Sequence, residues 1–286
     1  MFLETRYFSA DVVHYHFPME KHAYDVNNEY FFGSELLVLP ITTKKDNETL
    51  YGSDLIYFPE GNWFDIFSNF RYKGGSKLKL YRETDRMPVF AKEGGIIPMD
   101  ADPVSTPAYT LPNSLEWMIY PGQSNSFELI EDVKQSRAVT ELALNYQAQT
   151  IHLTVKGETS VLPEGRVHSL HFNASEQVEL IKLEGGELIE QRYTQELNRT
   201  TITIKMADEK ELKMTVKSFK FIDEQDISDE LFNRLNTAQV GYFLKDDLYN
   251  DFNNNHSEFS LLSTINELEE EHLSQSLFEL LYIKNS

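Results

Sequence analysis

Glu131 and Asp132 form an adjacent acidic pair, the residue type that general acid and base catalysis of hydrolysis requires. Neighbouring side chains on a strand point to opposite faces, so the two cannot easily converge on one bond, and they read as a solvated turn. His14 and His16 share one face of a strand-like run and, with Glu20 or His22, could surround a metal ion. Such a site needs three or more placed ligands and supporting contacts behind them, so the histidines read instead as ordinary strand residues. Asp246, Asp247, Asn250 and Asp251 gather oxygen atoms but lack the spaced loop of a calcium site. Trp63, Tyr72, Trp117 and Tyr120 carry rings that can stack on the C–H face of a pyranose while carboxylates and amides hold its hydroxyls. Rings of this size are buried on average, and a place in the core or at an interface is the competing expectation. Arg86, next to Asp85, suits a paired turn or a contact between domains. These five residues are the candidate sugar or domain contacts; no catalytic, metal-binding or cofactor-binding residue is assigned.

The elements that would position them read as mostly β. The chain has 286 residues, enough for about two domains at roughly 150 residues each. Aromatic residues reach 13%, which favours β layers where rings pack across strands. Between 29 and about 100, runs at Glu35–Ile41, Asp54–Phe58, Trp63–Phe67, Lys77–Tyr81, Pro88–Ala91 and Ile96–Pro98 are separated by turn signals such as Lys73-Gly74-Gly75 and Glu93-Gly94-Gly95. Prolines at 98, 103, 107 and 112 mark a connection. Clean alternation at Ile151–Val155, Val178–Leu183, Thr201–Met206 and Leu212–Val216 predicts a second sandwich with one buried and one wet face. Beyond Phe221 the pattern turns helical near 227–246 and 264–284, with Thr264 and Glu267 matching a capping box. The fold class expected is mainly β: two antiparallel β-sandwich domains and a small C-terminal α-helical segment. The boundaries drawn are 1–25, 26–105, 106–222 and 223–286.

Charge narrows the function. A formal net charge of −20 repels phosphate backbones and anionic lipid, which argues against nucleic-acid and membrane roles. The absence of cysteine removes disulfide and thiolate-metal frameworks and fits a reducing compartment. With Glu4 where a leader would be uncharged, the expected location is cytoplasmic.

Two stretches carry a family likeness: Tyr24-Asp-Val-Asn-Asn-Glu-Tyr-Phe-Phe-Gly-Ser-Glu-Leu-Leu-Val38 and Asp85-Arg-Met-Pro-Val-Phe-Ala-Lys-Glu-Gly-Gly-Ile-Ile-Pro98. They resemble the segment after the catalytic barrel in glycoside hydrolase family 31, the α-glucosidase and α-xylosidase family. The run Phe127–Asp132 is similar, more weakly, to the family's distal β domain, although Val133-Lys134 stands where the family usually has Asp and Gly. The resemblance implies that residues 1–25 are a remnant of the last barrel strand, followed by a proximal and a distal sandwich. It also implies a parent enzyme that hydrolyses terminal α-glycosidic bonds with retention and without a cofactor. The family's two catalytic aspartates belong to the barrel, and no position here matches their surroundings, so this chain is expected to be inactive by itself. The expected partner is the barrel or a homo-oligomer mate, with α-glucan or oligosaccharide as a candidate ligand. The alternative is a free-standing carbohydrate-binding or oligomerisation module.

Overall fold

A computed structural model describes residues 10–26, 28–101, 110–133, 135–207, 210–254 and 257–286, and of residues 14, 15 and 23 the backbone alone. Two compact units result. One contains residues up to Ala91 together with Asp223–Ser286, the other Lys92–Ile222.

In the first unit the strands are β1 (Ala10–Val12), β2 (Tyr30–Phe32), β3 (Leu36–Val38), β4 (Gly52–Phe58), β5 (Asn62–Asp65), β6 (Arg71–Lys73), β7 (Ser76–Arg82) and β8 (Val89–Lys92). Six of them form a sheet in the order β1-β2-β3-β8-β5-β6, and β4 pairs with β7 in a separate antiparallel ribbon. Gly74 makes the β6–β7 connection tight: a Cβ there would lie 1.8 Å from the Pro59 carbonyl oxygen, and its N–H donates to Gly61 O at 2.6 Å. The strand expected over 12–17 is shorter than the alternation suggested. It stops at Val12 and continues as a helical turn, α1 (Val13–His16), which buries Val13 and leaves His16 exposed.

Four further helices belong to this unit: α2 (Ser228–Thr237), α3 (Tyr242–Asn253), α4 (Glu258–Asn266) and α5 (Glu271–Lys284). The sequence suggested two longer ones. Ala238–Gly241 ends the first, and the Thr264/Glu267 pair lies within and at the end of α4 rather than at a helix start. The cap of α4 is Ser257, whose hydroxyl accepts from Ser260 N at 3.2 Å. Leu273, Leu277, Leu280, Leu281 and Ile283 are buried in the same cluster as Leu37, Phe58, Leu80 and Phe90 from the strands. The helices therefore complete the sheet's core instead of forming one of their own.

The second unit contains β9 (Ile96–Asp100), β10 (Ser114–Ile119), β11 (Asn125–Val133), β12 (Ser136–Asn145), β13 (Thr150–Gly157), β14 (Val167–Phe172), β15 (Glu179–Glu184), β16 (Gly186–Thr194), β17 (Arg199–Met206) and β18 (Glu211–Lys217). Two five-stranded sheets, β16-β17-β14-β10-β9 and β11-β12-β13-β18-β15, are antiparallel except for the parallel pair β10/β14. Ile96, which the sequence grouped with the first sandwich, pairs with Ile119 on β10 and belongs to this second core. Trp117, Leu170, Ile202 and Ile204 of one sheet share that core with Leu142, Leu153, Leu212 and Met214 of the other. Alternation carries the pattern: Ile202, Ile204 and Met206 are buried while Thr203 and Lys205 are not. The proline-marked connection lies largely outside the described residues.

Candidate functional site

The densest polar constellation in the first unit is built where β5, β7, α2 and α5 supply one charged side chain or more each. Glu279 sits on the buried face of α5 with no exposed surface. Its Oε1 accepts from Tyr72 Oη at 2.9 Å and from Arg82 Nη1 at 2.6 Å. Its Oε2 accepts from Tyr81 N at 3.0 Å and Arg234 Nη1 at 2.9 Å. Arg82 Nη2 also donates to Asp65 Oδ2 at 3.2 Å and to Tyr72 Oη at 3.0 Å. Arg234, on α2, donates through Nε to Glu230 Oε1 at 3.0 Å and through Nη1 to Ser276 O at 2.7 Å. Asp65 in turn accepts from Phe67 N at 2.9 Å and Ser68 N at 3.2 Å, which shapes the turn after β5.

Electrostatics follow from that geometry. Burial pushes the Glu279 carboxyl up, but Arg234 and Arg82 outweigh it and hold the group at about 2. Burial likewise disfavours charge on Arg82, and Glu279 reverses the balance so that it stays protonated. Both Glu279 oxygens and both guanidiniums are engaged inside the protein, so the cluster acts as a clasp between helices and strands.

Beside the clasp lies a small solvent-open pocket of about 50 Å³, lined in part by Asp65, Phe67, Arg82, Glu83, Arg86, Met87, Glu230 and Asn233. Its floor is the locked Asp65–Arg82 pair, and its rim is exposed: Phe67 is 56% and Met87 46% accessible. Arg86 lies on the loop between β7 and β8, closed by Arg86 N donating to Glu83 O at 3.1 Å. Asp85 and Arg86 are both exposed, and among the described residues the Arg86 guanidinium makes no ion pair.

The four aromatic candidates are all buried. Trp63 is 5% exposed and donates through Nε1 to Pro59 O at 2.8 Å, locking the turn before β5. Tyr72 packs on Phe58 and Phe90 with ring centroids 5.1 Å apart in each pair. Trp117 and Tyr120 have no exposed surface, and Trp117 Nε1 donates to His168 Nδ1 at 3.1 Å. Burial, with Arg166 nearby, pushes His168 down to about 3, so it stays neutral and able to accept. None of the four rings presents a face to solvent; the core expectation describes them.

Glu131 and Asp132 point apart, as strand geometry requires, but along β11 rather than in a solvated turn. Glu131 is buried and receives both Arg166 Nη atoms, at 2.7 and 2.9 Å, whereas exposed Asp132 pairs with Arg137 at 2.7 Å. The histidines divide as well: His16 lies 3.5 Å from Asp11, and His22 lies 3.6 Å from Asp25. Asp246, Asp247 and Asn250 occupy the solvated side of α3. Sequence reading missed Arg82, Arg234 and Glu279. The available signal was a glutamate inside the apolar run Leu277-Phe278-Glu279-Leu280-Leu281, a position a charge occupies only with partners.

Comparison with known proteins gives the fold a lineage. A family model described as "Glycosyl hydrolase family 31 C-terminal domain" matches residues 10–97. The isomaltosyltransferase of Sporosarcina globispora is 26% identical over 145 residues, 47% of this chain and 13% of that protein. Alpha-glucosidase 2 of Bacillus thermoamyloliquefaciens is 21% identical over 180 residues, 60% of this chain and 22% of that one. The chain thus spans less than a quarter of the length of these relatives. Among solved structures, the Flavobacterium johnsoniae GH31 dextranase complexed with glucose superimposes with a TM-score of 0.57 at 19% identity, covering 71% of this chain and 28% of that one. The family-model match over residues 10–97, these relatives and the likeness of fold support a glycoside hydrolase family 31 C-terminal region in this chain.

Proposed function

We propose that this chain supplies the accessory β portion of a retaining α-glucosidase-type enzyme, in which its sandwiches support a (β/α)8 catalytic barrel, and that these 286 residues alone turn over no α-glycoside. The observation that carries the reading is the family match, which falls on the C-terminal domain over residues 10–97. The chemistry of the buried carboxylates supports it. Retaining hydrolysis uses two carboxyl groups about 5 Å apart, one ionised as nucleophile and one protonated as acid. Here Glu279 and Glu131 are each committed to guanidinium partners, and Glu29 accepts from the Tyr57 N–H. The partner in this reading is the barrel and the substrate class is α-linked glucan. Among the described residues no helix is long and apolar enough to cross a membrane. A cytoplasmic setting belongs to the proposal, supported by the absence of cysteine.

The purified chain incubated with a nitrophenyl α-glucoside is expected to release no nitrophenol above a blank. Specific turnover by the chain alone overturns the reading.

A further inference from the structure

We propose that the outer side of α2 and α3 docks a cationic amphipathic helix of a partner protein. Four rings stand in water there: Tyr242 is 77%, Phe243 83%, Phe232 56% and Tyr249 36% exposed. The inner side of α3 is already used by the fold, since Leu248 and Phe252 are buried in the core and Leu244 packs against it. At roughly 200 Å² per ring, the exposed share amounts to roughly 500 Å², within the range of the largest and often functional apolar patch of a monomer.

Spacing sets the shape of the partner. The rings form two edge-to-face pairs, Tyr242 with Phe243 and Phe232 of α2 with Tyr249 of α3, each with centroids 6.3 Å apart. Tyr242 and Tyr249 stand at i and i+7, hence on one side of α3 and about 10 Å from each other along its axis. A helix laid along this side sets its own residues i and i+7 on the two pairs, the anchor spacing by which an amphipathic helix is read. Ring planes at 74° and 79° to each other do not make the flat platform on which successive sugar rings stack. Charge sets the sign. Asp246 lies between the two pairs, Asp247 follows Phe243 by one turn, and Asp229 precedes Phe232 by one turn. All three are exposed, and among the described residues none of their carboxylates makes a hydrogen bond or ion pair. The basic side chains of these two helices are turned inward: Lys245 Nζ donates to Asn236 O at 3.1 Å, and Arg234 is buried against Glu279. Lysine or arginine between the partner's apolar anchors therefore meets carboxylates and ring faces together. A second copy of this chain is the wrong occupant, because two chains of net charge −20 repel and a two-fold contact sets the same aspartates against each other.

Fluorescence anisotropy tests the assignment with a labelled peptide of about 18 residues, long enough to form a helix, carrying leucine at i and i+7 and lysine at i+3 and i+4. The full chain is expected to bind it saturably, and to bind neither a scrambled peptide of the same composition nor one with glutamate in place of lysine. Tyr242→Ala combined with Phe243→Ala is expected to weaken binding roughly tenfold. Asp246→Asn combined with Asp247→Asn removes charge and no ring; it is expected to weaken binding several-fold at low salt and to have no effect at about 1 M salt. This second pair decides the matter should the ring variant fail to fold. Absence of saturable binding, equal binding of the scrambled peptide, or binding indifferent to both double variants overturns the proposal. Dimerisation of the chain that the ring variant abolishes overturns it in favour of a second copy, and binding to phosphatidylcholine vesicles that the ring variant abolishes overturns it in favour of a membrane.

Discussion

Glu29 is the buried acid that the clasp does not use. Its side chain is 1% exposed; Oε2 accepts from Tyr57 N at 2.8 Å, and Oε1 has no partner among the described residues. Burial pushes its carboxyl from an ordinary 4.5 up to about 8, against the opposing pull of the Tyr57 N–H. The folded state thus holds this proton more tightly than the unfolded chain does. The sign follows: the stability of the folded state is undiminished below about 4.5 and declines as pH rises toward about 8. Glu29→Gln is expected to match the parent at acidic pH and to be more stable by roughly 4 kcal/mol near pH 8, as measured by urea unfolding at both pH values. An equal effect at the two pH values counts against a protonated Glu29. The neighbouring motif residue Trp63 behaves differently, because its one polar atom finds the Pro59 carbonyl four residues back, a partner that the local Pro-Glu-Gly-Asn turn supplies.

At the scale of elements, the helices depend on contacts that lie far away in sequence. The N-terminus of α5 is capped by Glu48, whose Oε2 accepts from His272 N at 2.7 Å and Leu273 N at 3.3 Å. Gln225 donates through Nε2 to Arg71 O at 3.0 Å and to Ile283 O at 2.6 Å, joining β6 to the end of α5. Glu279 ties the same helix to β7 and α2. Glu279→Ala leaves two buried guanidiniums without their counterion and is expected to cost about 3–5 kcal/mol at neutral pH, measured by urea unfolding. Because the folded carboxyl lies at about 2 and its ordinary value is 4.5, the stabilisation is complete above about 4.5 and is lost as pH falls toward 2. The cost of the substitution is therefore expected to shrink across that window, and a cost that stays constant down to pH 2 argues that the clasp works without charge.

For the whole molecule, the order of the chain and the order of the cores differ. The core of the second unit draws on Ile96 through Phe219 and is complete within one continuous stretch, whereas the first unit's core needs both ends of the described chain. Residues 92–222 expressed alone are expected to unfold in a single cooperative transition by circular dichroism; a gradual loss of signal shows that the stretch does not fold independently. Residue patterns alone determined the strands whose buried faces alternate, such as Thr201–Met206, because period-two burial is a local property of an extended chain. They also determined the motif turns at 59–62 and 73–75, where proline fixes its own φ and glycine permits the positive φ that Gly61 and Gly75 adopt. Legibility stopped where the partner is distant. That Val13–His16 coils, that Ile96 joins the second core, and that Arg86 lines a pocket depend on neighbours that sequence spacing does not reveal. The clasp shows this most clearly: a lone glutamate among leucines signals that partners exist, but only the tertiary structure decides that they are Arg82 and Arg234, since burial forces pairing without naming the pair.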